Sequence, residues 1–140
     1  MIIGDALRAS VDKKGPIAAL RQALNFYESH SVDRGGLIHY SDRGSQYCCN
    51  KYVDILKSKG IQISMTQTGN PLHNALAKRM NNTVKNEWLF DTEGLSFMEL
   101  SRAVDSAVDA YNSQRPHQSL DMRTPVSYTH LRAHETVLDL

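Results

Sequence analysis

The sequence predicts an α/β fold. Three observations carry this. Two short apolar runs, Leu37-Ile38-His39-Tyr40 and Ile61 to Met65, have strand length and strand composition. Segments of helical apolar period lie between and around them. The order strand, helix, strand, helix, strand, then helices is that of βαβ crossovers in a layered α/β domain.

Each element follows from local chemistry. Ile2 to Leu7 is short and apolar and reads as a strand. Gly15-Pro16 punctuates the chain, and Pro16 suits a first helical turn. Ile17, Leu20, Leu24 and Tyr27 then recur at spacings of three and four, which predicts a helix over 16–29. Asp33-Arg34-Gly35-Gly36 is a loop, and 37–40 a short buried strand that delivers Ser41-Asp42-Arg43-Gly44 at its C-terminal end. A second helix fits 46–58, with Tyr52, Val53, Ile55 and Leu56 toward a core and Gly60 as its terminator. Ile61, Ile63 and Met65 alternate with Gln62, Ser64 and Thr66. Gly69, Asn70 and Pro71 make 67–73 a loop. A helix over 74–90 carries Leu76, Met80, Val84 and Trp88 four apart. The last helix, 96–111, opens on the Ser96/Glu99 capping-box pair and carries Phe97, Leu100, Val104, Ala107, Val108 and Tyr111 as a core stripe. Pro116 ends the helical region.

The 140 residues suffice for one ordinary domain. With 41% hydrophobic and 22% charged residues, composition excludes wholesale disorder and collagen-like character. No apolar run reaches transmembrane length, and the N-terminus lacks the basic and apolar regions of a signal peptide. The expected compartment is the cytoplasm, with no membrane partner. Cys48 and Cys49 are adjacent, form no disulfide framework or zinc site, and are expected as buried or half-buried thiols. The net charge of +1 neither announces nor excludes a nucleic-acid partner, because local distribution decides.

Asp42, at a strand end before a Gly-containing loop, faces the crevice where open α/β sheets bind ligands. An Asp in a turn also bonds its own backbone, so the residue alone does not choose between the two roles. Its surroundings add a family likeness. His39-Tyr40-Ser41-Asp42-Arg43-Gly44-Ser45-Gln46-Tyr47 resembles the H-S-D-R-G-S-Q-Y signature of bacterial insertion-sequence transposases with an integrase core, the second reading frame of the IS3 family. Gly60 to Met65, Gly69 to Ala77, Asn82 to Glu87, and Tyr111 to Leu120 with Thr124-Pro125 resemble further blocks of that family, in order and at its spacing.

The resemblance implies a partial RNase H-like fold: a mixed sheet lacking its first strands, flanked by helices. It also implies Mg²⁺-dependent DNA strand cleavage and strand transfer, with three carboxylates holding two Mg²⁺ ions. Asp42 corresponds to the second Asp and would be a metal ligand. The family Glu should follow after thirty-five intervening residues, at position 78, which is Lys78. An ammonium group cannot ligate Mg²⁺; at an effective dielectric near 20, two unit charges ~4 Å apart interact by about 4 kcal/mol. The first family Asp has no counterpart on a first strand, and Asp5 and Asp12 are the available substitutes. Asp5 stands where the family has Trp in a G-W-A-L segment.

Residues 78, 82 and 85 share one helix face, which presents Lys78, Asn82 and Lys85 with Arg79 and Arg43 nearby. This face is either a solvated polar surface or, as the resemblance implies, a DNA-contacting one. After Pro125, Val126 to Thr136 resembles a translated adapter from a transposon-based sequencing library, so His130 and His134 are not expected to form a metal site.

The expected organisation is therefore a partial integrase catalytic core over 1–125 and a non-native tail over 126–140. The loss of the first strands exposes a sheet edge, so the fragment is not expected to fold independently. The expected function is that of a catalytically inactive part of a DNA transposase. Its implied partners are transposon-end and target DNA, a second copy, or a full-length transposase. The alternatives are a non-catalytic DNA-binding or dominant-negative module, and a functionless translated relic.

Overall fold

Two parallel strands and the crossover between them organise the first half of the chain. The computed structural model describes residues 1–9, 13–30, 36–65, 75–89 and 91–130. Their contacts separate into two units: Ile3–Asn81, and Met1–Ile2 with Asn82–Leu140.

In the first unit, α1 (Lys14–Ser29) carries Pro16 in its first turn and buries Ile17, Leu20 and Leu24 along one face, as their spacing predicts. β1 (Ile38–Ser41) pairs in parallel with β2 (Gln62–Met65), in a register from Ile38 opposite Gln62 to Ser41 opposite Met65. Parallel strands need a crossover. It is supplied by α2 (Ser45–Cys48) and α3 (Asn50–Ser58). Tyr52, Leu56 and Ile61 join the α1 stripe in one core, against which Leu37, Tyr47, Cys49, Ile55 and Ile63 pack. Leu56, at 1% exposure, is its centre.

The expected single helix over 46–58 is broken at Cys49, whose backbone is extended (φ −70°, ψ 141°). The break satisfies both flanking helices. The Cys49 thiol donates to the Gln46 carbonyl at 3.2 Å, and the Cys49 carbonyl accepts from Tyr52 and Val53 to start α3. Cys48 is exposed, contrary to expectation, with Sγ 3.8 Å from Met65 Sδ; Cys49 is half-buried as expected. Gly60 closes α3 in the left-handed region (φ 70°), where a side chain would be strained.

Residues 2–7 form no strand. The Asp5 amide donates to the Gln22 side chain at 2.7 Å, and a Cβ on Gly4 would collide with the Ala19 carbonyl of α1. Side chains and a close helix approach take the place of ladder bonds. Among the described residues the sheet is the parallel pair alone, rather than a mixed sheet. β1 is covered on one face only: Ser41 is buried, whereas Ile38 and Tyr40 are exposed, so 37–40 is not the fully buried strand expected. His39 lies on the covered face, and its Nε2 is 2.9 Å from the Tyr52 hydroxyl. Burial lowers the His39 pKa from 6.5, and burial with the nearby Tyr47 and Cys49 pushes Tyr52 up to about 12.

α4 (Ala75–Thr83) continues as a π-helical turn over Val84–Trp88, not as the uniform α-helix expected for 74–90. Its stripe is not a buried core: Met80 and Val84 are half-buried and Trp88 is 37% exposed. In the second unit, α5 (Phe97–Ser113) begins with the anticipated capping box, in which Ser96 accepts from the Glu99 amide and the Glu99 carboxylate accepts from Ser96. Ala107, Ala110 and Tyr111 are buried, whereas Phe97 in the first turn is 54% exposed. A 3₁₀ turn, Gln118–Leu120, follows, and then α6 over 125–130. α6 opens at Thr124, whose hydroxyl accepts from the Ser127 amide at 3.3 Å. Residues 33–35 of the loop predicted at 33–36, and the whole loop predicted at 67–73, lie outside the described residues, as do Asp12 and His134.

Leu56→Ala removes the side chain at the centre of the first core and should cost about 2–5 kcal/mol, read as a drop in urea midpoint. His39 supplies a pH test. Its folded pKa is lowered, so the unfolded chain takes the proton first. Its contribution to stability is full above pH 6.5 and is lost progressively as pH falls below that value toward the lowered folded one. The urea midpoint should therefore fall more steeply in the parent chain than in His39→Gln between about pH 7.5 and about pH 5. Equal slopes would remove His39 from the account.

Candidate functional site

Asp42 follows the last residue of β1, where the parallel pair ends and the chain turns toward α2. It is exposed, and its Oδ1 accepts from the Gly44 amide at 2.9 Å. This is the local turn bond that short carboxylates form readily. Two side chains approach Gly44 closely in this turn. A Cβ there would lie 2.6 Å from Gln46 Nε2 and 2.9 Å from Asp42 Oδ1. The carboxylate is felt nearby: burial raises the Tyr47 pKa, Asp42's negative charge raises it further, and a hydrogen bond from Gln46 works the other way.

The remaining candidates lie on surfaces. Arg43 is exposed beside Asp42 in the loop. Lys78, Arg79 and Asn82 are exposed on α4, and Lys85 is exposed on the π-helical turn. The structure thus groups Asp42 with Arg43, and the other four along one helical stretch. Lys85 lies on the π-helical turn, not on a continuous α-helix as expected. Among the described residues no hydrogen bond or ion pair joins Asp42 to Lys78. Asp5, the candidate substitute for the first Asp, sits beside α1 rather than on a strand.

Motif residues that carried the family likeness prove to have structural tasks within the second unit. Asn112 clamps the backbone of Ile2 twice: Oδ1 accepts from the Ile2 amide and Nδ2 donates to its carbonyl, both at 2.7 Å. Arg115 donates through two guanidinium nitrogens to both Glu87 oxygens at 2.8 Å. These hydrogen bonds hold the Glu87 carboxyl below, and the Arg115 guanidinium above, their ordinary ranges. His117 stacks edge-on against buried Tyr111, with ring centroids 5.0 Å apart, and its amide donates to the Arg123 carbonyl. Sequence reasoning singled out none of these partnerships. The Tyr111 to His117 block was visible, but Glu87 lies 28 residues from Arg115, and nothing local links the two.

A divalent cation of the kind the resemblance implies needs several convergent oxygen ligands. The described residues do not fit it. Among the described residues no three His, Cys, Asp or Glu side chains come together in a way that could hold a metal ion. One oxygen of Asp42 is engaged by Gly44, and position 78 offers an ammonium group.

Two family profiles, each described as an integrase core domain, match the chain over residues 1–71 and 59–125. The transposase of insertion sequence element IS904 from Lactococcus lactis subsp. lactis is 33% identical over 94 residues, 66% of this chain and 37% of that protein. The transposase of IS629 from Shigella sonnei is 30% identical over 124 residues, 89% of this chain and 40% of that protein. The chain thus spans about two fifths of the length of these relatives. Among solved structures, the catalytic core of BIV integrase superposes with a TM-score of 0.59 at 18% identity, covering 87% of this chain and 74% of that one. The HTLV-2 integrase catalytic core in complex with magnesium, in its dimeric form, also gives 0.59 at 18% identity, over 87% of this chain and 71% of that one. The fold is therefore the RNase H-like fold of integrase catalytic cores, and the sequence likeness runs to insertion-sequence transposases. The chain belongs to the integrase core domain family.

Proposed function

We propose that this chain is an integrase-core segment that engages DNA without cleaving it. One observation carries the proposal: Lys78, exposed on α4, occupies the position at which the resemblance calls for a metal-ligating Glu. A cation there opposes metal binding and favours phosphate. Asp42 keeps the position of the second carboxylate and would be the remaining ligand. Magnesium dependence would belong to the intact transposase.

The DNA-binding part rests on Arg43, Lys78, Arg79, Asn82 and Lys85, all of them exposed. Lys and Arg supply sequence-independent attraction to phosphate, and Asn82 adds hydrogen-bonding capacity. The partners we propose are transposon-end and target DNA, with a second copy or a full-length transposase as protein partner, in the bacterial cytoplasm. Among the described residues no helix is long and apolar enough to cross a membrane. We further propose that residues 1–125 are the native integrase-core part and 126–140 an adapter-derived tail. The family match ending at residue 125 supports this. An open reading frame through Leu140, recovered with a different library chemistry, would overturn it.

Cleavage of end-labelled transposon DNA with Mg²⁺ tests the catalytic reading. No product is expected from the chain, nor from Lys78→Glu, which supplies two of the three carboxylates the reaction calls for. Product from the unmodified chain would refute the proposal. For binding, affinity should fall with salt, and Lys85→Ala should reduce the slope of log K against log salt by about 0.9. A slope unchanged by that substitution would remove Lys85 from the interface.

A further inference from the structure

We infer that the groove between α1 and α3 is a second site for the sugar-phosphate backbone of DNA, apart from the Asp42 loop and the α4 stretch. The inference rests on the reading above that the chain engages DNA. Two clefts of about 490 and about 440 Å³ lie along these helices and share Lys51. Lys13, Lys14 and Lys51 line the first, and Arg21, Lys51 and Asp54 the second.

The two helices present these groups at matching intervals. On α1, Lys14, Ile17 and Arg21 stand at i, i+3 and i+7; on α3, Lys51, Ile55 and Ser58 stand at i, i+4 and i+7. Ile17 and Ile55 provide apolar surface for the lysine and arginine stems, leaving the charged heads toward solvent. Among the described residues that line the clefts, four cations accompany one carboxylate, in a chain whose whole net charge is +1.

The groove's length suits a polymer. Seven residues of helix rise about 10 Å. One strand of duplex DNA places a phosphate every ~3.4 Å of axis, so Lys14 to Arg21 spans about three phosphates. Lysine ammonium groups act as point charges and read no base, so this site would add affinity and orientation, not sequence preference.

Lysine acetylation of the full chain, followed by mass spectrometry with and without a duplex oligonucleotide, tests the inference. Lys13 and Lys51 should be protected several-fold by DNA, and Lys57, exposed outside the groove, should not. The exposed pair Lys13→Gln and Lys51→Gln should together lower the salt slope of DNA binding by about 1.8 while leaving the thermal transition in place. Protection of Lys78 and Lys85 with Lys13 and Lys51 still reactive would overturn the groove and leave the proposed function standing. Failure of DNA to protect any lysine would overturn both. Equal protection by inorganic phosphate at matched phosphate concentration would overturn the assignment to a DNA backbone.

Discussion

Parallel pairing of β1 with β2 is the constraint on which the first half of the molecule depends. Strands that run the same way cannot be joined by a tight turn, so the chain must leave the end of β1 and return over the sheet. That detour places Asp42 at the strand end, where its carboxylate accepts from the Gly44 amide, and commits α2 and α3 to covering one face. Leu56 and Tyr52 then meet the Ile17, Leu20 and Leu24 stripe of α1. The position of the candidate carboxylate is thus a consequence of topology and not of its own interactions.

The second unit solves a different problem. It secures Ile2 and a π-helical turn with side chains instead of sheet ladders. Asn112 does this by presenting an amide to the Ile2 backbone, donor to acceptor and acceptor to donor. Arg115 does it with a two-pronged grip on Glu87. A planar guanidinium can engage both carboxylate oxygens at once, which a lysine cannot. Tyr111 and His117 pack at the same corner. The block that marks the family is, in this chain, a structural joint.

The site shows where the two levels of description part. Asp42, Arg43, Lys78, Arg79, Asn82 and Lys85 were all legible from motif and spacing, and the structure leaves each of them exposed. The π turn that carries Lys85, and the Gly44 contact that engages Asp42, were not. The cation-rich groove also went unseen, because its lysines come from two helices far apart in sequence. Lys13 and Lys51 stand together only once α1 and α3 flank the same clefts.

By itself the sequence determined what depends on neighbours along the chain: the helical stripe of α1, the existence of strand β2, the Ser96/Glu99 cap, the Gly60 stop, and the substitution of Lys for Glu at position 78. Periodicity, capping and turn chemistry act over a few residues, so a few residues suffice to read them. The tertiary structure alone decided which apolar faces found a partner. It exposed Tyr40, Trp88 and Phe97, broke the second helix at Cys49, and satisfied the Ile2 and Asp5 backbone with side chains and not with a strand. Each of these outcomes depends on what lies across the gap, where burial and hydrogen-bond satisfaction are settled between groups distant in sequence.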